Sequence, residues 1–154
     1  MKTGIIIVDH GSRQDESNLL LEQVAARFAQ RFGEQYAIVE PAHMELAEPS
    51  IATAYARCVQ RGAGRIVVCP FFLGPGKHWT QDIPQLTAAA AAMHPGTVYH
   101  VAPPLGLDDL IVDLLEKRAR TCRDNRYRCD QCEGTLRCAE VDATPAVRPA
   151  PHPR

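Results

Sequence analysis

The segment Gly4-Ile-Ile-Ile-Val8 constrains the fold of this chain more than any other. It is rich in β-branched residues and shows no polar alternation, so as a strand it must be covered by apolar groups on both faces, the situation of a central strand in a parallel sheet. The run stops at Asp9-His10-Gly11-Ser12. Leu19, Leu20, Val24, Ala25, Phe28 and Phe32 then recur near helical spacing, which predicts a helix over residues 15–32 closed by Gly33. Residues 36–44 read as a second strand. Glu48-Pro49-Ser50 opens a second helix that buries Ile51, Ala54, Tyr55, Cys58 and Val59 and runs to Gly62. Residues 65–69 form a third strand, and a loop over 70–80 leads to an alanine-rich helix over 83–93. A short fourth strand over 98–101 and a last helix over 107–121 complete the pattern.

Strands alternating with helices imply right-handed crossovers and helices on both sides of the sheet. The predicted fold is α/β: one three-layer domain over 1–121 with a mainly parallel four-stranded sheet of flavodoxin-like order. A Cys-rich extension over 122–138 follows it, and a tail over 139–154 that holds four of the twelve prolines is expected to be disordered. At 154 residues there is room for one core and no second catalytic domain. Seventeen lysines and arginines against eighteen acids leave a net charge of -1, which argues against a general grip on nucleic acid. No apolar stretch is long enough to span a bilayer, and Met1-Lys2 enters the first strand without a signal-peptide layout, so the expected compartment is the cytoplasm, with no membrane partner.

In an open parallel sheet, ligands bind beyond the carboxyl ends of the strands, where the strand order reverses. His10 follows the first strand, Glu45 closes the second, and His78 lies in the loop after the third. If the first strand lies between the other two, the three side chains converge on one crevice. Two imidazoles and a carboxylate suit a first-row divalent ion and leave coordination positions open, and the same groups exchange protons near neutral pH. A lone histidine at a strand end more often anchors a loop, so convergence carries the functional reading. His43 lies two residues from Glu45 and either assists the site or faces solvent, while His94 and His100 read as structural. Arg13 and Lys77 flank the two histidines and could hold the carboxylates of an acidic substrate, or simply be solvated. Ser12 reads as a hydrogen-bond donor.

Other chemistries fail residue by residue. Gly76-Lys77 lacks the remaining residues of a P-loop, Gly11 alone is no dinucleotide fingerprint, and Ser12 has neither a nucleophile elbow nor an acid partner.

The set Asp9-His10-Gly11-Ser12-Arg13, Met44-Glu45-Leu46-Ala47-Glu48-Pro49-Ser50-Ile51, Pro70-Phe71-Phe72-Leu73, Gly76-Lys77-His78 and Asp82-Ile83-Pro84 resembles the small, half-size sirohydrochlorin chelatases. The likeness covers residues 3–121 and includes Pro104-Leu105-Gly106. It implies a class II chelatase that inserts cobalt or ferrous iron, and in some members nickel, into a carboxylate-rich tetrapyrrole without ATP, in the cobalamin or siroheme route. On that resemblance His10 and His78 are the active-site histidines and Glu45 the acidic metal contact. Many members carry a small or apolar residue where this chain has Asp9. Metal insertion requires ligands that release the ion and bases that take two pyrrole protons, and imidazole does both. Trp79 is the candidate wall for the ring, whereas Phe71 and Phe72 read as core. A homodimer is expected, because one half-size unit offers a large ring only a shallow crevice. The rival readings are a metal carrier without turnover and a redox or metal-sensing protein.

Cys58 and Cys69 lie in apolar segments and read as buried bystanders. Cys122-x6-Cys129-x2-Cys132-x5-Cys138 is different, because four thiolates within seventeen residues can close around one zinc ion or iron-sulfur cluster. The segment has six arginines between Arg118 and Arg137 and little to bury, so a bound centre would supply its folding energy. The iron-sulfur cluster is preferred because some members of the resembled family carry one.

Overall fold

A computed structural model of the chain describes residues 1–128 and 135–137. Its elements are β1 (Lys2–Asp9), α1 (Asp15–Phe32), β2 (Ile38–His43), α2 (Ile51–Gln60), β3 (Ala63–Pro70), α3 (Ile83–Ala92), β4 (Val98–Val101) and α4 (Asp109–Asp124). A single π-helical turn, His78–Asp82, leads directly into α3. The sheet order is β2-β1-β3-β4 and every neighbouring pair is parallel. β1 is therefore flanked on both sides by hydrogen-bonded strands, as its apolar sequence requires.

Alternation along β1 assigns its side chains to two layers. Ile6 and Val8 join Ile51, Tyr55, Cys58, Ile66, Val68, Ile83 and Ala90 in the core beneath α2 and α3. Ile5 and Ile7 face the other way and meet Leu21 and Ala25 of α1, with Phe28, Tyr36 and Phe71 around them. Full burial of one such aliphatic side chain stabilises by about 1.5–3 kcal/mol, so the two clusters account for most of the drive to this layering.

The outer edge of β2 is occupied by groups of the same chain. Arg61 donates from Nη2 to the Ala37 carbonyl at 2.8 Å and from Nη1 to the Val39 carbonyl at 3.4 Å, while its Nη1 also pairs with Glu40 at 2.7 Å. Pro41, opposite Ile7 in the register, has no N–H to offer. The His43 N–H donates to the Pro49 carbonyl at 2.8 Å.

The chain divides into two compact units, Met1–Leu107 and Asp108–Arg154, a boundary that assigns α4 to the second. There Asp108 Oδ1 accepts from the Leu110 N–H at 2.9 Å and starts α4. Cys122 lies near the end of that helix and is exposed, whereas Cys129, Cys132, Cys138 and the tail over 139–154 lie outside the described residues. Among the described residues no helix is long and apolar enough to cross a membrane.

Candidate active site

The carboxyl ends of β1 and β2 are fastened to each other by the backbone. The Met44 N–H donates to the Asp9 carbonyl at 2.9 Å and the Glu45 N–H to the His10 carbonyl at 3.1 Å, so the two candidate ligands leave the sheet side by side. Gly11 makes this approach possible. Its φ is +82°, and a Cβ there would run into the Glu45 carbonyl oxygen. Asp9 adds a side-chain clasp: Oδ1 accepts from the Gly11 N–H at 2.9 Å and from His43 Nδ1–H at 2.7 Å.

His43 neither faces solvent nor lines the surface beside Glu45. It is wholly buried, and its Nε2 has no hydrogen-bond partner among the described residues. It meets the end of β1 from below, through Asp9.

His10 is exposed and its ring stacks on Phe72, with centroids 4.9 Å apart and an interplanar angle of 18°. His78 meets the same ring edge-on, at 4.5 Å and 73°. The loop after β3 thus returns to the end of β1, because the π turn carries His78 back over the sheet and then runs on into α3. Within that turn the Ile83 N–H donates to the His78 carbonyl, and His78 Nδ1–H donates to Asp82 Oδ2 at 2.8 Å. Trp79, next to His78 in the turn, is half-buried and donates from Nε1 to the Ala102 carbonyl at 3.1 Å, which ties its indole to the segment after β4.

The structure therefore brings the side chains of His10 and His78 together and joins Glu45 to His10 through the backbone. No three His, Cys, Asp or Glu side chains stand close enough to hold an ion among the described residues, so Glu45 is near the pair without completing a cluster. Leu46, the next residue, has a φ of 67°, a left-handed conformation that costs a non-glycine residue on the order of 1–3 kcal/mol and tends to gather at functional sites.

Ser12 differs in part from its predicted role. Its Oγ accepts from the Gln14 N–H at 3.0 Å, while its backbone exchanges hydrogen bonds with the Asn18 amide, so it anchors the entry to α1 and keeps its hydroxyl proton to donate. Arg13 is exposed on a cleft of about 600 Å³ between the start of α1 and the loop after β2, where Asp15, Glu48 and Leu46 also lie. The Glu48 carboxyl is held below its ordinary pKa, first by the Ser50 N–H and then by the Thr53 hydroxyl. Lys77 is exposed immediately before His78.

Two residues of this site were not singled out as site residues from the sequence. Phe72 read as core, and Asp82 entered only as part of a motif. Only a helix that begins at His78 would have revealed the four-residue spacing of His78 and Asp82.

Residues 4–122 match the CbiX family model. The chain belongs to the CbiX family. This CbiX member is 52% identical over 139 residues to the sirohydrochlorin ferrochelatase, chloroplastic, of Arabidopsis thaliana, covering 88% of this chain and 61% of that protein. It therefore spans less than two thirds of that relative. It is 33% identical over 139 residues to the sirohydrochlorin cobaltochelatase of Methanocaldococcus jannaschii, covering 75% of this chain and 96% of the relative. Among solved structures it resembles SirB from Bacillus subtilis with Fe3+, at a TM-score of 0.68 and 31% identity, over 79% of this chain and 47% of that one. The three-layer parallel fold of the CbiX member is thus the chelatase fold.

Proposed function

We propose that this CbiX-family chain is a sirohydrochlorin chelatase that inserts cobalt or ferrous iron, with nickel a third candidate, in cobalamin or siroheme biosynthesis. The observation that carries the reading is the edge-to-face pair of imidazoles, His10 and His78, with ring centroids 4.5 Å apart at the carboxyl end of the sheet. The relatives named as ferrochelatase and cobaltochelatase support it.

The divalent ion is a substrate here, and His10, His78 and Glu45 are its proposed ligands. Two neutral imidazoles hold an exchangeable ion without the tight grip of a thiolate cage, and the carboxylate offsets part of its charge. As the ion enters the ring it exchanges ligand water and protein donors for pyrrole nitrogens, and two N–H protons leave. At least one histidine accepts one of them. Ser12, Arg13 and Lys77 meet the ring's carboxylates, and Trp79 packs against its face. The exposed Leu46 and Leu73, each 58% accessible on the loops beside Glu45 and His78, suit a site covered by a large planar ligand.

The deciding experiment is an anaerobic absorbance assay of the purified protein with sirohydrochlorin and cobalt, ferrous iron or nickel in turn. His10→Ala and His78→Ala are expected to abolish turnover with the fold intact, since both rings lie outside the core. Glu45→Gln should weaken metal loading more than ring binding. Metal binding without turnover would favour the carrier or sensor reading, and either histidine variant working near the wild-type rate at saturating metal would remove the catalytic assignment.

The reading also includes a homodimer that supplies a second wall to the ring and, at Cys122, Cys129, Cys132 and Cys138, an iron-sulfur cluster or a zinc ion. A set of four thiolates, of which the described Cys122 is exposed, fits either centre. The centre would serve stability, redox sensing or dimer contacts rather than insertion. Iron, zinc and acid-labile sulfide analysis after anaerobic purification tests it, and four freely titratable thiols with no metal would refute it. The compartment proposed with this reading is the cytoplasm, while the Arabidopsis relative is named as chloroplastic.

A further inference from the structure

Three histidines lie at the carboxyl ends of the first three strands or just beyond them, and their ring environments differ in kind. His43 is sealed in the core, with Nδ1 bound to Asp9 and no surface exposed, so it cannot reach a ligand. His10 is open, but among the described residues its ring has stacking partners and no hydrogen-bond partner, so nothing there selects which nitrogen carries the proton. His78 alone combines access with a carboxylate: its side chain is 43% exposed, and Nδ1 lies 2.8 Å from Asp82 Oδ2.

We infer that Asp82 is the positioning residue for His78, holding the Nδ1–H tautomer so that Nε2 remains as the ring's donor atom. A half-exposed hydrogen bond of this kind adds little to stability, because water competes for it and two side chains must be ordered to make it. Its geometry is costly to abandon for another reason. An imidazole binds a metal through one nitrogen, and a carboxylate on the other nitrogen fixes the tautomer, stops the ring turning and increases its electron donation. The π turn sets this up locally. His78 and Asp82 are its first and last residues, and the turn passes without a break into α3, whose buried Ile83 and Thr87 tie it to the core. Asp82 is thus carried on a firmly packed element, while His78 projects toward the stacked His10. The relation between the two open histidines is unequal: one is aimed by hydrogen bonding and the other is held only by ring contact with Phe72 and His78.

This inference rests on His78 being a metal ligand, and the test separates the two claims. Long-range 1H–15N spectra of the full-length, metal-free protein report the tautomer of each histidine, and cobalt titration reports affinity. In the wild type His78 should show the Nδ1–H form. Asp82→Ala should lose that fixed tautomer and weaken cobalt binding by about 10–100-fold, the usual effect of removing such a partner. Asp82→Asn, whose amide oxygen still accepts from Nδ1–H, should keep the tautomer and recover most of the affinity, which excludes a general effect on folding. If Asp82→Ala keeps the Nδ1–H form and wild-type cobalt affinity while His78→Ala loses binding, Asp82 has no positioning role and the metal reading stands. If His78→Ala itself binds cobalt as the wild type does, the metal reading fails and takes this inference with it.

Discussion

Cys58 has no exposed surface, and its thiol pKa is pushed up to about 12, first by burial and then by the Glu40 carboxylate, with Arg61 opposing. A group whose pKa is raised by folding keeps its proton when the unfolded chain has already lost it. Stability is therefore unaffected by this thiol below the unfolded value of 9.0 and falls as pH rises from there toward about 12, by as much as about 1.4 kcal/mol per pH unit. We predict that a thiol reagent at neutral pH leaves Cys58 of the native protein untouched and reaches it once the protein is unfolded; prompt labelling of Cys58 in folded protein would contradict its burial. The bystander role of Cys58 was legible because it recurs at helical spacing with Ile51, Ala54 and Tyr55 on the apolar face of its helix. The role of His43 was not. Strand alternation gives the face a residue takes, and it says nothing of depth, so the same pattern fitted a solvent-facing histidine and the buried partner of Asp9. Phe72 was hidden for a similar reason: an aromatic residue at a strand end is core by composition, and only the path of the loop shows that its ring also supports His10.

At the scale of elements, the boundaries followed their local signals. α1 spans the predicted residues because apolar spacing and Gly33 mark its body and its end. α2 begins one residue after Ser50, whose Oγ accepts from the Thr53 N–H at 3.2 Å. Ser50→Ala removes that acceptor and is expected to lower stability by about 0.5–2 kcal/mol, read from denaturant midpoints, without changing the fold. A Ser50→Ala midpoint equal to that of the wild type would mean that Glu48, which accepts from the Ser50 N–H at 2.7 Å and the Thr53 hydroxyl at 2.9 Å, suffices to start the helix. The π turn was the element least visible in advance. Gly74, Pro75 and Gly76 punctuate the segment as a loop, and a five-residue turn has no periodicity of its own to detect, so its helical geometry emerges only from its fusion to α3.

For the whole molecule, the position of β1 between β2 and β3 could be anticipated, since a strand with no polar face has to be central. That placement in turn gathered the ends of the first three strands into one site. The shape of the proposed homodimer is a different question, because one α/β unit exposes His10 and Lys77 on an open surface. We predict that light scattering at micromolar concentration gives the mass of two chains; a monomer that retains full activity would show that the second wall is unnecessary.

The edges of the sheet restrict how two copies can meet. A free edge strand offers carbonyls and amides in a row, a template on which a neighbouring chain can extend the sheet. Along β2 that row is partly taken: the guanidinium of Arg61 covers the Val39 carbonyl and that of Ala37 just before the strand, Pro41 has no amide hydrogen, and the His43 amide is bound to Pro49. The opposite edge, β4, is only four residues long. Among the described residues neither border offers a long open ladder, which favours docking of a second copy through loops or helices over continuation of the sheet and hinders strand-by-strand polymerisation, the usual hazard of an open β-layer.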